Sequence, residues 1–229
     1  FRRVLFRSTT AQVSALTTAQ LKVFGEIQLS AIEDADFASL TATQLRSLST
    51  TQLGYLGTSQ MAAFTTAQLP ALGTHQIRAL SDLQIAALET TDINVMTAQQ
   101  MRVLTSVQLA AFDADRIAAL GTQQLSYLST AQVRYLSIDQ IAALTTVEAM
   151  SLSAAQIAAL DAYQVSAIET ADLYVMNSTQ IRALRTDHIA ALSNVQVASL
   201  ATDQIRALYT QQLRGLTLDQ LDRKSTRLN

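Results

Sequence analysis

The sequence repeats every eight residues from residue 9 to residue 216, without insertion or deletion, which gives 26 consecutive octads. Residues 129–136 (STAQVRYL) and 137–144 (SIDQIAAL) are two of them side by side. We number the positions of an octad from 1 to 8, with Thr9 at position 1 and Leu16 at position 8. Repeat arrays are built from contacts between neighbouring units and need no single globular core. The period therefore predicts an array.

Positions 1 and 4 carry the signal for the start of a helix. Position 1 is Ser, Thr, Asp, Asn or Gly in 20 of the 26 octads, and position 4 is Gln in 20 of them. Ser/Thr-x-x-Gln is a capping box, in which the hydroxyl accepts from the third helical amide and the Gln side chain reaches back to the cap. Positions 5 and 8 are apolar, and a spacing of three places both on one helical face. Each octad therefore predicts a capped helix of under two turns.

Two other folds compete with this interpretation. A single continuous helix would rotate its apolar face by about 80° per octad, so it could not keep one buried stripe. A β-solenoid is the stronger rival, because Thr, Ile and Val favour strands, but positions 5 and 8 would then face opposite ways.

Pro70, at position 6, is a misfit inside a helix. Glycine at position 1 could also end the preceding helix as its C′ residue, at Gly25, Gly57, Gly73 and Gly121.

Charged substitutions follow a second, longer period. Position 6 is basic at steps of mostly three or four octads, at Lys22, Arg46, Arg78, Arg102, Arg134, Arg182 and Arg206. Paired acids replace positions 1 and 4 at Glu33 and Asp36, Glu89 and Asp92, and Glu169 and Asp172, and Asp113 with Arg116 occupies the same two positions. Steps of three and four octads indicate about 3.3 octads per turn of a superhelix. The sequence thus predicts an all-α superhelical solenoid of short capped helices, one per octad, with β-solenoid as the alternative.

On this count the basic residues lie on one side of the solenoid and the acid pairs on another. The six arginines at position 6 in that series, from Arg46 to Arg206, and the three Glu/Asp pairs therefore form a candidate interaction face for a protein or a polysaccharide. The acid pairs could instead bind Ca²⁺ or act as a general acid/base pair. We favour a structural role, as alternative N-caps and N3 acids that suit the helix dipole and could pair with Arg in the next turn.

Other site chemistry is missing from the sequence. There is no cysteine, so disulfides and thiolate metal sites are excluded. His75 and His188 occupy different octad positions and have no spaced partner, which favours drifted repeat positions over a metal site. No nucleophile elbow or phosphate loop occurs. We predict no catalytic residue, cofactor or metal, and no enzymatic activity. A net charge of −2 and short apolar runs predict neither nucleic-acid binding nor a membrane span.

The two ends depart from the octad. Residues 1–8 (FRRVLFRS) and 223–229 (RKSTRLN) are basic and resemble translated sequencing-adapter sequence, so we expect non-native or disordered tails. Between them, residues 9–222 are expected to form a single solenoid of 26 to 27 octads, cut from a longer array and able to stack end to end.

The run LTTxQ(I/V)xAL, which pervades residues 9–216, resembles the octapeptide arrays of very large secreted or surface proteins of proteobacteria. The resemblance implies a secreted or cell-surface stalk, adhesin-like, that acts as a structural spacer or interaction scaffold. A ligand-binding solenoid that engages a protein or polysaccharide through a charged face is the alternative. Ice binding by ordered Thr at positions 1 and 2 is a third hypothesis, which requires the β fold.

Overall fold

The computed structural model describes residues 9–225, and side chains as far as residue 221. Within these residues there are short α-helices, one 3-10 helix and no strand. The all-α prediction is confirmed and the β-solenoid alternative is wrong, and the ice-binding hypothesis falls with it. The chain divides into two compact units, Phe1–Arg116 and Ile117–Asn229, and the octad pattern of the sequence continues through the boundary.

One helix forms in each octad. The first unit contains Thr10–Ser14, Thr18–Lys22, Glu26–Leu29, Asp34–Phe37, Ala42–Ser47, Thr50–Gly54, Thr58–Ala62, the 3-10 helix Leu69–Ala71, Thr74–Ala79, Asp82–Ala86, Thr90–Ile93, Ala98–Val103 and Ser106–Ala110. Helix Ala114–Ala118 spans the boundary between the units. The second unit continues with Thr122–Tyr127, Thr130–Val133, Ile138–Ala142, Thr146–Ser151, Ala154–Ala159, Ala162–Ser166, Thr170–Val175, Ser178–Ala183, Thr186–Ala191, Asn194–Ser199, Thr202–Ala207, Thr210–Leu213 and Leu218–Ser225.

The last helix extends three residues beyond the predicted end of the array at residue 222. The rest of the two predicted tails, residues 1–8 and 226–229, lies outside the described residues.

The predicted capping box starts the helices. At octad 5, Thr41 has an extended backbone (φ −72°, ψ 155°). Its Oγ1 accepts from the Gln44 amide at 3.3 Å, and its own amide donates to Gln44 Oε1 at 2.6 Å. The helix ends at Ser47, and its C-cap residue Leu48 returns to extended backbone (φ −68°, ψ 136°). The reset at each position 1 therefore keeps the helices short, as predicted.

Glycine and proline depart from the predicted detail in different ways. Gly25, Gly57 and Gly73 are extended N-cap residues, and no described glycine has a positive φ, so the C′ role predicted for them is wrong. Their amides still donate to the Gln side chain three residues on, as Gly57 does to Gln60 Oε1 at 3.1 Å. Pro70 has no amide to donate, and its octad forms the 3-10 helix Leu69–Ala71 instead of an α-helix.

The core consists of positions 5 and 8, as the spacing predicted. Leu45 and Leu48, for example, are 0% and 2% exposed. Helices three octads apart pack against each other through both units, as octads 2 and 5 or octads 22 and 25 do. Hydrogen bonds connect octads four apart, as from Gln76 to Leu45. Each unit is therefore an all-α repeat solenoid with between three and four octads per turn.

Candidate functional site

The glutamine at position 4 is buried and joins two turns of the solenoid. Gln76 is 0% exposed. Its Oε1 accepts from the Gly73 amide at 2.8 Å, and its Nε2 donates to the carbonyl oxygens of Leu45 and Leu48 at 3.1 and 2.9 Å. The carbonyls at the end of a helix have no partner within that helix. One side chain thus caps the start of its own helix and the end of the helix four octads earlier.

This arrangement recurs along both units and forms what we call the polar ladder, the set of position-4 side chains. Paired donations to positions 5 and 8 of the octad four places earlier are made by Gln52, Gln60, Gln68, Gln76, Gln84, Gln100, Gln108, Gln156, Gln164, Gln180, Gln204, Gln212 and Gln220. Gln12 and Gln20 are exposed, since no described octad lies four places before theirs. The ladder is therefore a property of stacked turns.

His188 replaces Gln in the ladder and preserves the bond to its own N-cap and one of the two donations to the earlier octad. Its side chain is 0% exposed. Nδ1 lies 3.2 Å from the Arg185 amide, which must donate, so Nε2 carries the proton and donates to the Leu160 carbonyl at 3.0 Å. Burial, and then the positive charge of Arg185, lower the pKa of His188. The neutral imidazole is therefore part of the fold.

Arg116 preserves the contact between turns in a different way. Its Nη2 donates to the Ala86 carbonyl, four octads earlier, while Nη1 pairs with the Asp113 carboxylate. Asp113 Oδ1 also accepts from the Arg116 amide at 2.9 Å. Asp113 therefore takes the role of the capping hydroxyl, and Arg116 that of the donating amide.

Carboxylates in the ladder cannot donate, and they leave polar atoms without partners. Oδ2 of Asp92 and Oε1 of Glu148 are buried and make no hydrogen bond. Glu148 Oε2 still accepts from the Thr145 amide at 2.8 Å. Burial, and next the nearby Glu89, raise the pKa of Asp92 to about 6. Burial raises the pKa of Glu148, against two hydrogen bonds from Thr145 that lower it.

In each of the three predicted Glu/Asp pairs, the glutamate lies at the surface and the aspartate lies in the interior. Glu33, Glu89 and Glu169 are exposed N-cap residues whose side chains make no capping bond. Their partners are inside, with Asp36, Asp92 and Asp172 at 6%, 2% and 2% exposure. These three aspartates therefore cannot contact a partner molecule. The predicted interaction face is reduced to its arginines and its three glutamates. Burial, followed by Glu169 and Glu148, raises the pKa of Asp172 to about 6.

The pairing of these acids with Arg residues of the next turn is not found in the described part of the chain. Its ion pairs are Asp113 with Arg116, Asp187 with Arg185, and Asp203 with Arg206. Asp36 Oδ1 accepts instead from Thr10 Oγ1 at 2.9 Å, three octads earlier. Within residues 9–225, no group of three or more His, Asp or Glu could hold a metal ion.

The basic residues of the first unit lie on octads that follow one another up the solenoid. Lys22, Arg46, Arg78 and Arg102 are all exposed. Octads 2 and 5 pack together, as do octads 9 and 12. Octads 5 and 9 are joined by Gln76, whose Nε2 reaches the Arg46 carbonyl at 3.4 Å. These four cations, which we call the basic row, therefore occupy one side of consecutive turns.

The second unit has a comparable set, with Arg134, Arg182 and Arg206 exposed. Octads 16, 19 and 22 pack in succession, but octad 19 has Ala158 at position 6. Arg185 from octad 23 fills this place, because its Nη1 donates to the Ala158 carbonyl and to that of Leu160 at 3.0 Å.

Arg182 is anchored by a 3.1 Å bond from its Nε to the Ala207 carbonyl, and its guanidinium lies 5.7 Å from the ring centre of Tyr209. Sequence reasoning missed two cations of the second unit. Arg185 lies at position 1 and gives no periodic signal, whereas Arg214 lies at position 6 and could have been found.

No described helix is long and apolar enough to cross a membrane. A comparison with curated proteins found no match. The sequence profile of the ALTTAQ repeat matches five overlapping or successive segments, residues 29–66, 62–90, 85–122, 117–146 and 165–202. These segments cover more than half of the 229 residues. The chain therefore belongs to the ALTTAQ repeat family.

Proposed function

We propose that the chain is a non-catalytic structural spacer and interaction scaffold, a segment of a larger secreted or cell-surface repeat protein. The observation that carries the proposal is the uniform use of each octad. From residue 33 to residue 208, positions 4, 5 and 8 are all buried except Arg116 and Ile205, which are half-buried. The main helix contacts join octads three apart, and the ladder bonds join octads four apart. A fold with such local contacts can be lengthened by whole octads.

The side chains with reactive chemistry support the non-catalytic part of the proposal. His188 and Gln at position 4 use their polar atoms on backbone groups of the same chain. Asp92 and Glu148 have perturbed pKa values, but each is buried in the ladder, where no substrate reaches it. The resemblance to large surface arrays supports the extracellular location.

Duplication of residues 41–64, three consecutive octads of the first unit, tests the spacer function. The chain has no cysteine, so Ser30→Cys and Asp82→Cys can carry spin labels on exposed sites that flank the duplication. We expect unchanged helical ellipticity per residue and a label distance longer by about 10 Å, since stacked helices lie about 8 to 10 Å apart. Loss of helicity, or an unchanged distance, would contradict the spacer function.

A further inference from the structure

We propose that the basic row of the first unit binds an acidic polysaccharide of the uronic acid class, which lies along the solenoid with its carboxylates on successive arginines. The proposal rests on the scaffold function above and names its partner. It is carried by the isolation of the row, by the spacing of its cations and by a polar cleft beside it.

The row is a basic strip on a chain of negative net charge. The four octads that contain Lys22, Arg46, Arg78 and Arg102 have no acidic residue, although the whole chain carries a net charge of −2. In the described residues of the first unit, the remaining cation is Arg116, which is paired with Asp113. The strip is therefore free to attract an anion.

The guanidinium groups of the row have donors that are not used within the described part of the chain. Arg46 is held by one bond, from its Nε to the Ala71 carbonyl at 2.9 Å, which leaves both terminal nitrogens open to a ligand. Arg78 and Arg102 make no side-chain hydrogen bond or ion pair within the part of the chain that the structure describes. Arginine presents its donors in a planar fork that matches a carboxylate.

The spacing favours a polymer with widely separated charges. The row has one cation per turn, and turns of packed helices are about 8 to 10 Å apart. Phosphates of a nucleic-acid strand follow every ~3.4 Å, so most of them would have no partner here. A polysaccharide with one carboxylate per sugar, or per pair of sugars, carries its charges farther apart.

A cleft beside the row provides donors and acceptors for sugar hydroxyls. Its volume is about 590 Å³, and Arg46 forms one wall. The other polar side chains include Thr74, His75, Thr97 and Gln99, from octads 9 and 12 of the row. Protein partners are usually recognised through an apolar centre. The four octads expose one large apolar side chain, Val23, so the surface fits a hydroxylated chain better.

The test compares two triple variants of equal charge. Arg46→Gln/Arg78→Gln/Arg102→Gln neutralises the row. Ala35→Glu/Ser59→Glu/Leu83→Glu adds three charges to exposed position-3 sites of octads 4, 7 and 10, which pack in succession and contain no cation. Each variant lowers the net charge by three. Circular dichroism first establishes that both remain folded.

Binding to polygalacturonate is measured by calorimetry at low salt. The fully methyl-esterified polymer, which lacks the charge, and a thymidine oligonucleotide, which carries phosphates, are measured in the same way as comparison ligands. We expect the first variant to lose about tenfold or more in affinity and the second less than about threefold, because exposed charge pairs contribute modestly each. We expect no binding of the esterified polymer and weaker binding of the oligonucleotide.

Three outcomes would overturn the proposal. The first is no binding of polygalacturonate by the unmodified chain. The second is an equal loss in both variants, which would assign the attraction to net charge alone. The third is tighter binding of the oligonucleotide, which would assign the row to nucleic acid. None of them affects the label distances that test the spacer function.

Discussion

Gln156 offers the sharpest test of the polar ladder, because one atom can be changed without a change of shape. Gln156 is 3% exposed, and its Oε1 accepts from the Ser153 amide at 2.8 Å. Its Nε2 donates to the Leu125 and Leu128 carbonyls at 3.0 and 2.9 Å. In Gln156→Glu the first bond remains and an oxygen replaces the nitrogen. That oxygen then faces two carbonyl oxygens.

The expected cost follows from the groups left without partners. Two lost hydrogen bonds account for about 1 kcal/mol each, and an unpaired buried polar group for about 1 to 3 kcal/mol. We expect the substitution to lower the free energy of unfolding by about 3 to 5 kcal/mol at pH 7. At pH 5 the loss should be smaller, because the buried carboxyl of the variant has a raised pKa and, once protonated, donates to one carbonyl.

Urea denaturation followed by far-UV circular dichroism measures the effect, and Gln123→Glu is the matched control. Gln123 is exposed at position 3 of octad 15, so the same charge change should cost under about 0.5 kcal/mol. The reverse substitution, Glu148→Gln, should stabilise the second unit by about 1 to 3 kcal/mol. It supplies a donor where the natural side chain has a buried oxygen without a partner.

Equal urea midpoints for Gln156→Glu and the unmodified chain at pH 7 would refute the ladder as a source of stability. A destabilisation as large for Gln123→Glu would assign the effect to charge rather than to the ladder.

Three further predictions concern single sites. The pKa of Asp92 is about 6 in the folded state, above the ordinary 3.8, so between pH 7 and pH 5 the folded chain binds a proton that the unfolded chain does not. The contribution of this group to the free energy of unfolding should therefore rise by about 1 kcal/mol from pH 7 to pH 5. NMR titration should give a midpoint near 6, and Asp92→Asn should remove this pH dependence; a midpoint near 4 would contradict it. His188 has a lowered pKa, so its contribution should be present above the unfolded value of 6.5 and decline as pH falls below it, and His188→Gln should abolish that decline in acid-denaturation curves. Leu53→Ala, at a fully buried position 5, should cost about 2 to 5 kcal/mol in urea denaturation, whereas Gly54→Ala beside it, where an added Cβ meets nothing within 4 Å, should not destabilise.

Much of the fold follows from local chemistry that can be read along the chain. A capping residue at position 1 and Gln at position 4 act within one octad, as Thr41 and Gln44 do, so they predict where each helix begins. Apolar residues at positions 5 and 8 predict the buried face in the same way, as at Leu45 and Leu48. The spacing of the basic residues also placed Arg46 and Arg78 on neighbouring turns, because superhelical period and sequence period are linked in a solenoid.

The second role of the position-4 glutamines, donation to carbonyls of the octad four places earlier, could not be predicted from the sequence. Gln76 reaches Leu45 and Leu48 across 31 and 28 residues, an offset that depends on how closely the turns stack. The same stacking buries Asp92, which looks like a surface acid in the sequence, and gives His188 two backbone partners. It also brings Arg185 over Ala158. Short helices leave their terminal carbonyls unpaired, and only the packed neighbour decides which side chain satisfies them.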